Sequence, residues 1–143
     1  MKKIALVIES VKNGQFWGRL HYDDDLIVEK ASSLELLERK MKKLLKDFHD
    51  LDIETVEFDI QYDIVGLFEE KKFLNVSAVA EMAGINKSLM RQYATGKKFP
   101  SYDRASKIVQ VINEIGKDLG KVKIAAPNYY QVANPNRKKR EEA

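Results

Sequence analysis

The sequence predicts an α+β fold, with strands in the first half of the chain and helices in the second. The hydrophobic period changes from two residues to about 3.6 near Asp63, which is the change from strand to helix. Asn13-Gly14 stands between two apolar runs, and this pair is the best short signal for a β-hairpin. The element order β-β-β-α-β followed by helices predicts one layer of helix on one layer of sheet, and then an all-α segment.

The composition narrows the class of protein further. A chain of 143 residues makes one ordinary domain or two small ones. The absence of cysteine excludes disulfides, thiolate chemistry and cysteine-based metal sites. The apolar run after Lys3 spans five residues, whereas a secretory signal needs roughly 7 to 15 and a membrane span about 20. We therefore expect a cytoplasmic protein without membrane contact.

Charge is distributed unevenly along the chain. Residues 1–65 hold 10 Lys/Arg and 14 Asp/Glu, a net charge of −4, whereas residues 66–143 hold 15 and 8, a net charge of +7. This asymmetry suggests different partners for the two halves and makes the basic half a candidate for nucleic-acid binding. A solvated surface without a partner is the alternative.

The acidic half contains four predicted strands and one helix. The first three strands are expected at Lys3–Val11, Gln15–Tyr22 and Leu26–Ala31, with a turn at Asp23–Asp25 between the second and third. A helix follows, and the fourth strand is expected at Val56–Tyr62. The three-strand meander makes at least part of the sheet antiparallel.

The helix of this half is predicted from its cap and its apolar stripe. Ser32 stands three residues before Glu35, which is the spacing of a capping box. The apolar residues follow helical spacing and are expected to pack on the sheet. They are Leu34, Leu37, Met41, Leu44, Leu45 and Phe48.

The outer face of the fourth strand is predicted to be acidic. Glu57, Asp59, Gln61 and Asp63 alternate with apolar residues, and Asp23–Asp25 adds three carboxylates. These acids are candidates for contact with a basic protein partner, through electrostatic complementarity. A solvated strand face is the alternative, and a magnesium ion at Asp23–Asp25 is a weaker one, because adjacent extended residues point in opposite directions.

The basic half begins with three short predicted helices. The first runs from Ile64 to about Phe73, and the second covers Val76–Ala83 after Asn75 as its cap. Gly84 is expected to end the second helix as a left-handed residue. Ile85 is expected to be buried in the turn.

The third helix has a polar outer side. Asn86 is its expected cap, Gly96 its expected end, and Tyr93 lies inward together with Leu89 or Met90. Two helices joined by so short a turn cross at about 90 to 120°, which requires a small residue at the crossing, here Ala80.

A last helix, from about Tyr102 to Leu119, completes the predicted core of this half. Its expected inward residues are Ala105, Ile108, Val109, Ile112 and Ile115.

The stretch Leu74–Ser101 resembles the helix-turn-helix of the phage-repressor or XRE family. The small Ala80, the glycines Gly84 and Gly96, the turn hydrophobe Ile85 and the basic-Pro-Ser exit occupy the family's places. The sequence departs from the family at Ala94, where an acidic residue is common, and in a first helix that follows a strand directly.

The β-β-β-α-β segment resembles the HicB antitoxin domain, a partial, degenerate RNase H-like fold. In that family this domain precedes a DNA-binding domain. The two resemblances imply a HicB-like domain at 1–63 for toxin binding or oligomerisation, a helix-turn-helix domain at 64–125 and a flexible tail at 126–143. They imply an antitoxin that represses its own operon and neutralises a small basic RNase toxin. The alternative is a stand-alone regulator whose first domain dimerises or senses a small ligand.

The resemblance also implies which residues contact DNA. The expected base readers on the third helix of the basic half are Lys87, Ser88, Arg91 and Gln92. The expected phosphate contacts are Asn75, Asn86, Lys97, Lys98 and Ser101.

A regulator of this kind is expected to act as a homodimer or a higher homo-oligomer on an inverted-repeat operator in double-stranded DNA. Either a sheet edge or a strand at Val122–Ala125 would supply the interface. No cofactor, metal or catalytic residue is expected. His21 and His49 lack ligand spacing, and a nuclease built on Asp23–Asp25 would lack a nucleophile and a base.

Overall fold

The computed structural model describes residues 1–125, and within them it contains one four-stranded sheet and five α-helices. The α+β class is therefore confirmed, and the segment 126–143 lies outside the described residues. The strands are β1 (Lys2–Lys12), β2 (Gln15–Tyr22), β3 (Asp25–Ala31) and β4 (Val56–Tyr62). The helices are α1 (Leu34–His49), α2 (Ile64–Glu70), α3 (Val76–Ala83), α4 (Lys87–Ala94) and α5 (Tyr102–Leu119).

The sheet has the strand order β3-β2-β1-β4. β1 pairs antiparallel with β2 and parallel with β4, in a register that places Lys2 opposite Val56. A parallel pair requires a crossover, and α1 supplies it. The register of β1 against β2 shifts between Ile8 and Ser10, so Glu9 lies in a β-bulge.

Both hairpins turn through two residues with positive φ. These are Asn13 and Gly14 (52° and 72°) in the first hairpin, and Asp23 and Asp24 (47° and 66°) in the second. Such turns match the right-handed twist of the flanking strands. Asp25 belongs to β3 and pairs with Tyr22, so the predicted turn at Asp23–Asp25 is one residue too long.

The cap of α1 differs from the predicted one. Ser33, not Ser32, is the N-cap, and its hydroxyl oxygen accepts a hydrogen bond from the backbone N–H of Leu36 at 3.1 Å. Two adjacent serines offer the same chemistry, and the register of the helix against the sheet decides between them. Leu37, Met41 and Leu45 are fully buried, whereas Phe48, predicted to be part of the stripe, is 72% exposed.

The buried apolar residues form two clusters. One lies between α1 and the sheet, and the other lies among α2 to α5. In the second cluster Ile108 and Val111 are the buried residues of α5, while the predicted inward residue Val109 is exposed. α2 ends at Glu70 rather than near Phe73, and Phe73 is exposed. Residues 122–125, the last that the structure describes, form no strand.

α2 packs closely against β1, and Gly66 makes this possible. A Cβ placed on Gly66 would lie 2.5 Å from the carbonyl oxygen of Ile8, which is too close for any larger residue without movement. The backbone N–H of Asp63 donates to the same oxygen at 3.0 Å, and that of Val11 donates to Oε1 of Glu69 at 3.3 Å. The sheet and the first helix of the basic half are therefore joined at several points.

Candidate nucleic-acid interface

The reversal between α3 and α4 is closed by backbone hydrogen bonds. Gly84 adopts φ 67°, and its N–H and that of Ile85 donate to the carbonyls of Glu81 and Ala80 at 3.2 and 2.9 Å. Ile85 is 8% exposed, so the turn hydrophobe is buried as predicted. This arrangement is the left-handed helix ending that glycine favours, and it fixes the direction in which α4 leaves the turn.

α4 is anchored to the core by one side only. Met90 is fully buried and Tyr93 is 3% exposed, among α3 and α5 residues that include Val79 and Ile108. The hydroxyl of Tyr93 accepts a hydrogen bond from Nη1 of Arg104 at 3.1 Å. Burial on this side leaves the opposite side of α4 facing away from the protein.

The four predicted base readers lie on that opposite side. Lys87, Ser88 and Arg91 are exposed, and Gln92 is half-buried. At about 100° per residue these four positions lie within an arc of about 140° on α4, so their side chains form one continuous polar surface. We call Lys87, Ser88, Arg91 and Gln92 the α4 polar face. It carries two cations and an amide, the groups that bind guanine and adenine edges.

Three of the predicted phosphate contacts also cap helices. The side-chain oxygen of Asn75 accepts from the N–H of Ala78 at 3.0 Å, and that of Asn86 accepts from Ser88 and Leu89 at 2.9 and 3.3 Å. Ser101 accepts from the N–H of Arg104 at 3.3 Å. An asparagine that caps through its oxygen keeps its NH₂ group for another acceptor, so capping and phosphate contact are compatible.

Lys97 and Lys98 lie in the turn that follows α4. Their backbone N–H groups both donate to the carbonyl oxygen of Gln92, at 2.9 and 3.2 Å, and Gly96 makes the turn possible with φ 81°. Both side chains are exposed. This places two flexible cations directly after the α4 polar face.

Ser77 was not among the predicted site residues. It lies in the first turn of α3, and its Oγ is 3.5 Å from Nη2 of Arg91. A hydroxyl two residues after a helix cap was the available signal in the sequence. Ser77 is placed to orient the Arg91 guanidinium, because the two groups face each other between α3 and α4.

The structure separates the residues of the predicted acidic surface into two groups, one at each end of the sheet. The antiparallel pairing of β1 and β2 places Asp23 and Asp24 at the end of the sheet where β1 and β4 begin, together with Glu57. Asp59 follows on β4, and both Glu57 and Asp59 are exposed. Asp25 is 3.1 Å from Nε2 of His49, on the same end.

Asp63 lies at the opposite end of β4 and belongs to a different group of charges. Both of its carboxylate oxygens accept hydrogen bonds from Arg19, and Oε1 of Glu9 accepts from the same guanidinium at 3.1 Å. The hydrogen bond to Asp63 is the main reason why the pKa of Arg19 is raised above its usual value. Asp63 is thus paired within the chain, and the structure does not bring it together with Asp23–Asp25.

Within residues 1–125 there is no group of three or more His, Asp or Glu residues arranged to hold a metal ion. His49 packs edge-on against the ring of Tyr22, with centroids 5.0 Å apart, whereas His21 is exposed. Among these residues, no helix combines the length and apolar character that a membrane crossing requires.

Comparisons of this chain with family models, with curated proteins and with solved structures found no match.

Proposed function

We propose that the protein is a sequence-specific DNA-binding regulator that inserts α4 into the major groove. The observation that carries this proposal is the α4 polar face, which stands free on a helix whose other side is anchored by Met90 and Tyr93. The resemblance of Leu74–Ser101 to the XRE helix-turn-helix supports the same geometry. A recognition helix presents its first outward residues to base edges while neighbouring groups contact phosphates.

To test the base-reading assignment, the full chain is first used to select a preferred duplex from a randomised DNA library. Arg91→Ala combined with Gln92→Ala is expected to weaken binding to the selected duplex by about tenfold or more, because each bidentate base contact contributes roughly 1 to 3 kcal/mol. Lys117→Ala is the matched control, since this exposed lysine lies on α5 away from the α4 polar face. Equal affinities of the double variant and the parent chain, measured by fluorescence anisotropy, would contradict the assignment.

A second test separates the capping of α4 from its contact with phosphate. Asn86→Asp keeps a side-chain oxygen for the N–H groups of Ser88 and Leu89 but places a negative charge beside the DNA backbone. We expect unchanged stability and a large loss of DNA affinity. If Asn86→Asp binds the selected duplex as the parent does, Asn86 does not approach a phosphate.

The regulator is proposed to act as a dimer, because one module reads only a few base pairs and two copies about 34 Å apart read an inverted repeat. Within the described chain, β3 and β4 are the edges of the sheet, and β3 carries the exposed apolar residues Leu26 and Val28. We therefore place the interface at β3. Val28→Lys is expected to give a monomer in analytical ultracentrifugation, whereas Val109→Lys, on the similarly exposed α5 residue, is expected to leave the dimer intact.

The resemblance of residues 1–63 to the HicB domain supports a further partner, a small basic RNase toxin. Its proposed contact surface consists of Asp23, Asp24, Glu57 and Asp59, which are exposed: the first two lie in the β2–β3 turn at the end of the sheet where β4 begins, and the other two lie along β4. Charge complementarity would guide this association and set its salt dependence. A stand-alone regulator, whose first domain only dimerises or senses a ligand, is the alternative.

Co-expression with the product of a small basic reading frame beside the gene decides between the two. An antitoxin is expected to co-purify with that product, and Asp23→Asn with Asp24→Asn is expected to weaken the complex. Asp103→Asn with Asp118→Asn removes the same charge from α5 and serves as the control. A neighbourhood without such a frame, or a frame whose product does not bind, would leave the stand-alone regulator as the function.

A further inference from the structure

A cavity of about 550 Å³ lies between the sheet and the helix-turn-helix. One wall comes from β1, β2, the end of β4 and the start of α2, and the other comes from Tyr93 and from residues of the turn that follows α4. Its volume falls in the range of about 300 to 1,000 Å³ that is usual for small-molecule sites. The DNA-binding assignment leaves this cavity without a role.

Close packing and a backbone hydrogen bond hold the walls in place. Gly66 packs directly on the backbone of β1, and the Asp63 N–H donates to the Ile8 carbonyl at 3.0 Å. On the other side, Gly96 approaches Val65 so closely that a Cβ on the glycine would be 3.3 Å from Val65 Cγ2. These contacts fix the position of the helical wall relative to the sheet wall.

Aromatic rings dominate the apolar lining. Trp17 and Tyr62 belong to the sheet wall, and Tyr93 and Phe99 belong to the helical wall. Trp17 is 39% and Phe99 86% exposed, which is high for large apolar side chains. Covering these rings with a planar apolar group would remove apolar surface from water.

The charged groups of the lining differ between the two walls. Glu9 and Asp63 on the sheet wall are both bound by the guanidinium of Arg19, and the ammonium group of Lys30 lies 5.0 Å from the centroid of the Trp17 ring. Both oxygens of Asp63 bind Arg19, whereas Glu9 binds it through Oε1 alone, so within residues 1–125 Oε2 of Glu9 is the oxygen left to accept another donor. Lys98 supplies a positive charge on the helical wall.

We propose that this cavity binds a small aromatic zwitterion, of the chemical class of the free aromatic amino acids. The ring lies against the aromatic walls, the ammonium group donates to Glu9, and the carboxylate accepts from Lys98. Each end of such a molecule then meets the opposite charge, and both charged hydrogen bonds form next to apolar walls where water screens them less.

A ligand in the cavity changes the affinity for DNA through Lys98. This effect on DNA binding rests on the proposed function. Lys98 is one of the proposed phosphate contacts, so the ligand's carboxylate and a DNA phosphate compete for the same ammonium group. Ligand binding therefore lowers DNA affinity, and by linkage DNA lowers ligand affinity by the same factor. Salt dependence is measured as the slope of the logarithm of the DNA-binding constant against the logarithm of the salt concentration. Loss of one phosphate contact in each protomer makes this slope shallower by about 0.9 per protomer.

Ligand binding is tested first without DNA, on the full chain. Trp17 is the only tryptophan in the sequence and lines the cavity, so its fluorescence reports on occupancy. L-Phenylalanine is the probe, because it does not absorb where tryptophan is excited. Phenethylamine lacks the carboxylate and 3-phenylpropionate lacks the ammonium group, and each is expected to bind at least about tenfold more weakly than L-phenylalanine.

Variants locate the site. Phe99→Ala and Glu9→Gln are expected to weaken L-phenylalanine binding at least about tenfold, since each removes one wall contact or charge. Phe73→Ala is the matched control, because Phe73 is 74% exposed and lies outside the lining. Absence of any Trp17 response up to about 10 mM, a far weaker affinity than specific sites show, would overturn the proposal. Equal binding of the three compounds would also overturn it.

The DNA arm of the experiment is read separately. Saturating L-phenylalanine is expected to lower the affinity for the selected duplex and to reduce its salt dependence. If the ligand binds and the DNA affinity stays the same, the competition at Lys98 is wrong. If the chain binds no DNA at all, the proposed function fails, while the ligand result in the absence of DNA still decides whether the cavity is a site.

Discussion

Arg19 shows how one residue connects the two halves of the molecule. Its guanidinium binds Asp63, where β4 ends and α2 begins, and Glu9, which the bulge in β1 directs to the same place. All three side chains are between about a quarter and half exposed, so water screens their attraction and reduces its contribution to stability. The geometric effect remains, because a planar, forked cation holds two carboxylates at fixed positions.

Tyr62, which precedes Asp63, is expected to make the stability of the protein depend on pH in alkaline solution. Burial, and next the Glu70 carboxylate, raise the pKa of Tyr62 above its usual value of 10.0. The folded state thus holds the phenolic proton more tightly than the unfolded chain. The unfolded chain releases this proton near pH 10. The contribution of Tyr62 to the free energy of unfolding is therefore fully present below pH 10 and is lost as the pH rises through the folded-state pKa. Tyr62→Phe is expected to make the urea midpoint less dependent on pH above about pH 10.

The control for this measurement is Tyr102→Phe, because Tyr102 is 86% exposed. This variant is expected to keep the alkaline slope of the parent chain. Part of the slope also remains in Tyr62→Phe, since a hydrogen bond to Glu70 raises the pKa of Lys71 in the same direction. Identical slopes in Tyr62→Phe and the parent would show that the phenol does not sense its buried surroundings.

At the scale of elements, helix caps decide where the helices begin. Ser33, Asn75, Asn86 and Ser101 each accept a hydrogen bond from a backbone N–H in the first turn of the helix that follows. The sequence alone predicts the caps at Asn75 and Asn86, because each is an isolated asparagine before a helical run. It places Ser101 only in the loop before α5, and near α1 it favours Ser32 over the adjacent Ser33, since local chemistry cannot separate two serines.

This ambiguity yields a matched pair of substitutions. Ser33→Ala removes the acceptor for the Leu36 N–H and is expected to cost about 1 kcal/mol of unfolding free energy. Ser32→Ala changes an exposed residue outside the cap and is expected to stay within about 0.5 kcal/mol of the parent. Urea denaturation of both variants measures the difference. A larger loss in Ser32→Ala would mean that α1 begins one residue earlier.

Element boundaries and face patterns follow from the sequence wherever local rules act alone. β2, β4, α3 and α5 begin and end as their periodicity and turn residues predict. Local rules fail where tertiary contacts decide. Phe48 and Val109 fit an apolar stripe but lie exposed, and Val111 is buried in the place of Val109, because the direction of a neighbouring element selects the buried face.

In the candidate site, too, the features set by local rules could be predicted from the sequence, and those set by tertiary contacts could not. The α4 polar face could be predicted because a turn glycine, a small crossing residue and a buried Tyr93 dictate the outward side of one short helix. The cavity and the pairing of Asp63 with Arg19 could not, since their residues are distant in sequence and meet only when sheet and helices pack.

For the molecule as a whole, the junction at Gly66 is the most sensitive position. Gly66→Ala places a methyl group against the Ile8 carbonyl and is expected to destabilise the protein by about 1 to 3 kcal/mol. Gly116→Ala is the control, because Gly116 lies inside α5 with no atom within 4 Å of the added Cβ, and it is expected to stabilise by about 0.5 to 1 kcal/mol. Urea unfolding measures both. A neutral Gly66→Ala would show that α2 can separate from β1 at no cost.

The parallel pairing of β1 with β4 has a consequence for the order of folding. β1, β2 and β3 join through two tight hairpins, whereas the contact of Lys2 with Val56 closes a loop of more than 50 residues. Loop closure over such a span is slow, so the fourth strand is expected to be added last. Because α2 starts directly after that strand, a chain that has not finished its sheet has not yet oriented the helices that follow. If the proposed function is right, the chain becomes able to bind DNA only in the last step of folding.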